Sequence, residues 1–126
     1  MKIWINHVLL LPLLLFGQSA IDNATATHLE KIIDMRHQIH QNPELGNREF
    51  KTAELVADHL RSLDFDEVKT AVAHTGVIGI LKGGKPGGVV AVRADMDGLP
   101  VTEDTDLPFK STARTTYLDK EVGVMH

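Results

Sequence analysis

Two carboxylates, Asp95 and Asp97, stand two residues apart directly after the apolar run Val89-Val90-Ala91-Val92. The run reads as a buried strand, and side chains two apart in a strand point the same way. Asp95 and Asp97 would then share a face at the carboxyl end of that strand, where α/β sheets usually hold ligands. Two anions held close together repel unless a cation or a shared proton compensates. The chemistry they suggest is therefore metal binding. On the residues alone, two alternatives stand beside it. The aspartates could cap a turn at the strand end, or Asp95 could pair with Arg93.

The other candidate donors are weaker. His37 and His40 are three apart in a segment with helical spacing, so they share a face, and such a pair can bind zinc. No acid or cysteine is evidently placed to complete a tetrahedral set, and a structural or surface role fits them better. The chain has no cysteine, which removes thiolate ligands and disulfides together. His74 lies at a strand junction before Thr75-Gly76 and reads as structural. Gly83, Gly84, Gly87 and Gly88 surround Lys85-Pro86 with no helix opening on Lys-Ser/Thr behind them, so they make a turn and not a phosphate loop.

Three blocks of this sequence resemble a family of metal-dependent amidohydrolases and carboxypeptidases. That family includes hippurate hydrolases, N-acyl-amino-acid amidohydrolases and enzymes that cleave auxin–amino-acid conjugates. The blocks are Ile39-His40-Gln41-Asn42-Pro43-Glu44-Leu45-Gly46 with Glu49 and Thr52, then His74 to Leu81, then Arg93 to Glu103. The third block is the most specific and the second the weakest. The resemblance they carry extends over roughly residues 28 to 126.

The resemblance implies an amide hydrolase acting on N-acyl amino acids or small peptides. It also implies a pair of divalent ions of the zinc or manganese class and a glutamate base supplied further along the chain. In related metallopeptidases a His-x-Asp motif occupies the place of Asp95 and Asp97. By that match Asp97 is the first candidate for a catalytic role, steadying a metal ligand, while Asp95 and Arg93 flank the site. Val124-Met125-His126 matches the start of the family's Met-His-Ala-Cys-Gly-His-Asp run, so His126 flanks the site just before the ligands. The expectation is thus an amino-terminal part of the enzyme, with no metal ligand or base of its own, no bound cofactor and no activity alone. His40 and Glu44 would fix a helix–loop junction. The implied fold is an α/β/α sandwich, zinc-peptidase-like and incomplete here, and a lid domain of the intact enzyme often mediates a homodimer.

The elements that must position these residues follow from periodicity and capping. Thr27 with Glu30 makes a capping box, and Leu29, Ile32, Ile33, Arg36 and Ile39 continue a helix over 28–41 that Asn42-Pro43 ends. Asn47 is placed to cap a second helix running to about Leu63. Strands are expected at Glu67 to Val72, Val77 to Leu81 and Val89 to Ala94, the last two joined as a hairpin across the glycine turn. From Leu107 to His126 the pattern predicts loop and short extended pieces. The class is α/β: two helices followed by about three strands.

At the amino terminus, Lys2, the apolar stretch Val8 to Phe16 and the small residues Gly17-Gln18-Ser19-Ala20 have the order of a secretory signal peptide. Residues 1–20 would be removed and residues 21–126 would be the mature segment, secreted or periplasmic. The apolar stretch is short for a membrane span, which takes about 20 residues. Asn23-Ala24-Thr25 is a glycosylation sequon, relevant only in a eukaryotic secretory pathway. A formal net charge of −4 and no basic patch argue against a nucleic-acid partner. With 43% hydrophobic and 24% charged residues, the composition is globular, not disordered. The rival to the enzyme reading is a stand-alone, non-catalytic α/β module that binds a partner through an exposed sheet edge. Coding sequence for Ala-Cys-Gly-His-Asp downstream of His126 would separate the two.

Overall fold

The computed structural model describes the backbone of residues 5–126 and side chains from Ser19 onward. Lys2 lies outside the described residues, and only the helical backbone of the Val8 to Phe16 stretch is described. The chain divides into two compact units, residues 1–37 and 38–126.

Helix α1 (Ile5–Gln41) supplies the first unit and ends in the second. It does not begin at Thr27. The Thr25 and Thr27 hydroxyls each donate to the carbonyl four residues back, Ile21 and Asn23, both at 2.9 Å. A threonine bonded back in this way sits inside a helix and does not cap one, so the expected capping box is absent. Among the described residues no helix is long and apolar enough to cross a membrane.

In the second unit α1 stops where Pro43 requires it. The Asn42 N–H still reaches the carbonyls of Gln38 and Ile39, both at 3.2 Å, and its side chain donates to Gln38 O at 2.9 Å. Helix α2 (Phe50–Ser62) follows. Asn47 is not its cap. It takes a left-handed φ of 61° and donates its N–H to Glu49 Oε1 at 3.0 Å. Glu49 holds the N-cap position but makes no capping bond. Glu44 caps instead from further back, accepting the Thr52 N–H at 2.8 Å, the Thr52 hydroxyl at 2.9 Å and the Lys51 N–H at 3.3 Å. A carboxylate there satisfies otherwise orphaned N–H groups and complements the helix dipole.

Strands β1 (Glu67–Val72) and β2 (Gly76–Ile80) form an antiparallel hairpin with Glu67 opposite Ile80 and Lys69 opposite Ile78. The hairpin therefore joins the first two expected strands, not the second and third. α2 packs on it at Gly79, where a Cβ would lie 2.8 Å from Phe65 Cδ1 and 3.1 Å from Leu60 Cδ1. The tail forms a second hairpin, β3 (Arg114–Tyr117) with β4 (Lys120–Gly123). Its turn residues Leu118 and Asp119 both have positive φ, 50° and 60°, which matches the twist of a two-residue hairpin. Leu-Asp is not the usual residue pair for that turn, which is why the sequence pattern did not show it.

The third expected strand is not formed. Val89, Val90 and Val92 are 98%, 89% and 94% exposed, and the segment pairs with no strand among the described residues. Strand propensity is a preference for a half-buried, paired surface, and none of the described strands lies alongside this segment. The buried apolar set is correspondingly small: Leu45, Ala57 and Val124. Glu49, Thr52, Thr75, Glu103 and Ser111 are buried beside them, so polar contacts carry much of the interior.

An exposed apolar window with high β-propensity and no internal charge pairs with copies of itself. The 126-residue chain is expected to self-associate in a concentration-dependent way, and Val90→Lys with Val92→Lys should suppress this without lowering its helicity. Sedimentation velocity and circular dichroism check both parts, and unchanged association in the double variant would be the contrary result.

Candidate functional site

The segment carrying Asp97 is placed by backbone pairing on both sides. The Gly98 N–H donates to Glu44 O at 2.6 Å, and Leu45 bridges Gly98 in parallel. Leu99 and Met125 then exchange both backbone bonds, 2.8 and 3.1 Å, in an antiparallel bridge. Gly98 is wedged in between. A Cβ there would lie 2.9 Å from Val124 Cγ1, 3.1 Å from Pro43 Cβ and 3.2 Å from Met125 O. No larger residue fits without moving the 43–45 loop or the 124–125 segment that follows β4.

Asp97 itself is exposed, with its carboxylate over Gly46. Asp95 points elsewhere, forming an ion pair with Arg93 at 2.9 Å in which both side chains are largely solvated. Such a pair contributes little to stability. His126 is exposed and follows Met125 directly. Asp97 and His126 thus flank the two bridges, while Asp95 and Arg93 belong to the solvated segment before them. The two histidines of α1 separate. His37 meets Arg36 Nη2 at 3.1 Å, and His40 turns to Glu103. Among the described residues no group of three or more His, Cys, Asp or Glu side chains could hold a metal ion. The donors in this segment do not by themselves fit a metal centre.

Two buried carboxylates were not singled out by sequence reasoning. The first is Glu103, whose side chain is 1% exposed. Both its oxygens lie 3.0 Å from His40 Nε2. It also accepts the Thr105 hydroxyl and the Ser111 N–H, each at 2.6 Å. The His40 ring meets Phe109 edge-on at 5.6 Å. Hydrogen bonds from Thr105, His40 and Ser111 outweigh the opposing effect of burial and bring the Glu103 pKa down from 4.5 to about 2. Ser111 extends the network, donating its hydroxyl to Val124 O at 2.7 Å.

The second is Glu49. Burial pushes its pKa up, but the Thr75 hydroxyl at 2.7 Å and backbone N–H groups of Glu49, Asn47 and Arg48 more than offset this, leaving it below its ordinary value. The bond to Thr75 fastens the start of α2 to the β1–β2 turn. His74 takes part in that junction, with Nε2 3.1 Å from Asn47 O and its ring edge-on to Phe50. The signal for Glu103 was its place in the most specific block, at a position where a surface residue would have been equally compatible with the pattern. Its value comes from partners remote in sequence.

Known proteins align well with this segment. Thermostable carboxypeptidase 2 of Saccharolobus solfataricus is 45% identical over 95 residues, 75% of this chain and 22% of that protein. The hippurate hydrolase of Campylobacter jejuni is 47% identical over 92 residues, again 22% of its length. The N-acetyldiaminopimelate deacetylase of Halalkalibacterium halodurans is 50% identical over 82 residues, 64% of this chain and 22% of that protein. Among solved structures, a dinuclear metal-binding peptidase of the M20 family from Bacillus subtilis superposes with a TM-score of 0.65. It is 36% identical and covers 77% of this chain and 25% of its own. The chain thus spans about a fifth to a quarter of the relatives it matches. No protein-family model matches it.

The lowered pKa of Glu103 gives a signed pH dependence. A carboxylate with a folded pKa of about 2 against 4.5 contributes stability that is complete above the higher value. That contribution is lost as pH falls towards the lower one. Thermal unfolding of the wild type and Glu103→Gln should therefore show a gap in Tm that is constant at neutral pH and narrows between about pH 4.5 and 2. A gap independent of pH would show that the charge of Glu103 is not what stabilises the network.

Proposed function

We propose that this chain, which belongs to the M20 family of metal-dependent peptidases and amidohydrolases, is part of an exported enzyme that hydrolyses the amide bond of N-acyl amino acids or small peptides. The observation that carries this reading is the joint match in sequence and fold to a dinuclear metal-binding peptidase. It is supported by relatives named as a carboxypeptidase, a hippurate hydrolase and a deacetylase. Those three names share one chemistry, hydrolysis of an amide to an acid and an amine, with an amino acid on one side of the bond.

In the intact enzyme a pair of divalent ions, of the zinc or manganese class, would be held by residues outside this segment, as would the proton-shuttling glutamate. The part played by this segment is orientation. Asp97 sits on a backbone fixed by Glu44 and Met125, its carboxylate free to accept a hydrogen bond and to hold the tautomer and direction of an incoming ligand side chain. His126 leads out of the same bridge. Asp95 and Arg93 remain flanking residues that neutralise each other. A homodimer of the intact enzyme, built through a lid domain, belongs to the same proposal.

Export is the other half of the reading. It rests on Lys2, the apolar Val8 to Phe16 stretch and the small residues that follow. Amino-terminal sequencing of exported protein should find a start between Ala20 and Thr27. Retention of Met1 on a cytoplasmic product would count against export.

The enzyme reading is tested on the full-length protein, restored by extending this segment through its downstream sequence. It should release amino acids from N-acyl substrates in the presence of zinc or manganese, whereas the 126-residue chain should not. Asp97→Ala should lower turnover or metal affinity by ~10–100-fold and leave the unfolding temperature nearly unchanged, because its side chain fills no core. Full activity and metal content in Asp97→Ala would remove Asp97 from the site.

A further inference from the structure

The backbone that carries Asp97 is held in place by contacts that begin elsewhere. Asp97 precedes Gly98, and the backbone from Gly98 to Leu99 is clamped between Glu44–Leu45 and Met125. The Met125 side of the clamp is only as firm as the strand that bears it. That strand is tied at Val124, whose N–H donates to Ala113 O at 3.0 Å and whose carbonyl accepts the Ser111 hydroxyl at 2.7 Å. Ser111 is in turn held by its own N–H on Glu103. Glu103 is anchored by His40, which lies 63 residues earlier in the chain. An unbroken series of hydrogen bonds thus runs from the last turn of α1 to the bridge beside Asp97.

The register of the bridge adds a second observation. With Leu99 opposite Met125 in an antiparallel pair, Gly98 falls opposite His126, which places His126 beside the residue that follows Asp97. Any shift of Val124 and Met125 along their own direction would move His126 out of its place opposite Gly98, next to Asp97. A single-residue slip would also turn every side chain of that strand to the other side. Gly98 makes the fit narrow, since its neighbours leave no room for slack on the Val124 side.

We propose that Glu103 is a positioning residue for the Asp97 site: by gripping Ser111, and through it Val124 and Met125, the buried carboxylate sets the register that Asp97 works against. The proposal rests on the reading of Asp97 as a site residue. Glu103 touches no reacting group and acts only through the strand. Its three sets of donors, from α1, from Thr105 and from Ser111, leave it one orientation, so the strand inherits a fixed position. Glu103→Gln removes the charge and turns one acceptor oxygen into a donor, so the side chain can no longer accept from His40, Thr105 and Ser111 together, and the grip loosens while volume is nearly preserved.

Two measurements test it. The first needs no catalysis. Amide hydrogen exchange on this chain should rise by about 10-fold or more at Leu99, Val124 and Met125 in Glu103→Gln, the size expected for a lost charge-assisted hydrogen bond. Exchange in β1 and β2 should not change. Uniform acceleration across the chain, or none at Leu99 and Met125, overturns the proposal. If Glu103→Gln fails to fold, Ser111→Ala removes the hydroxyl's bonds to Val124 O and to the Ala113 N–H while the residue's own N–H stays on Glu103, and unchanged exchange at Val124 and Met125 there overturns the proposal.

The second uses the full-length enzyme. Glu103→Gln should lower kcat with KM little changed, and should have almost no further effect when added to Asp97→Ala. Multiplicative losses in the double variant would mean that Glu103 serves stability alone. If the full-length protein hydrolyses no N-acyl amino acid, the activity reading falls. The exchange result still decides whether Glu103 sets the position of the bridge.

Discussion

A carboxylate taken out of water must be met by donors, or its desolvation cost exceeds anything the fold returns. Glu103 meets this condition with His40, Thr105 and the Ser111 N–H, and the placement of the site segment depends on that condition being met. The donors come from the end of a helix, from two residues further on and from the approach to the second hairpin. They can converge only if those three stretches adopt their observed arrangement. A network of this kind is unforgiving: complete, it specifies one structure, and with one member missing it leaves a buried group unpaired.

The apolar interior is too slight to do the same by itself. Leu45, Ala57 and Val124 are its buried apolar members, and two of them, Leu45 and Val124, lie against the Gly98 bridge or its neighbours. Polar contacts therefore perform the tasks that side-chain packing performs in a larger core. Glu44 caps α2 and, through its carbonyl, receives Gly98. Glu49 joins α2 to the β1–β2 turn through Thr75. The three glutamates share a logic. Each accepts several donors, and each connects elements that the sequence places apart.

Much of this architecture was legible in the sequence because it depends on neighbours in the chain. The end of α1 at Asn42-Pro43, the extent of α2 and the bounds of β1 all rest on local rules of proline sterics, helical periodicity and alternation. The failures share a cause as well. The Thr27 capping box was locally sound, but a helix already running from Ile5 turned its hydroxyl back to Asn23. Asn47 had the right chemistry to cap α2 and was passed over because Glu44 reached the same N–H groups from outside the usual window. Val89 to Val92 has the composition of a buried strand and stands in solvent, since a strand is completed by its neighbour and not by its own residues.

The candidate site divides along the same line. The sequence by itself singled out the candidate residues: the Asp95–Asp97 block, its resemblance to metal-dependent amidohydrolases, and the absence of cysteine are properties of residue type and order. The resemblance also implied that His40 and Glu44 fix one helix–loop junction, whereas His40 turns to Glu103 and Glu44 caps α2. Only the tertiary structure decided that Asp95 is neutralised by Arg93 in solvent while Asp97 lies over Gly46 beside a clamped backbone. It alone showed Glu103 to be buried and not on the surface. The physical reason is range. Propensity, capping and spacing act over a few residues, whereas the burial of a charge is settled by groups that the fold brings from as far as 63 residues away.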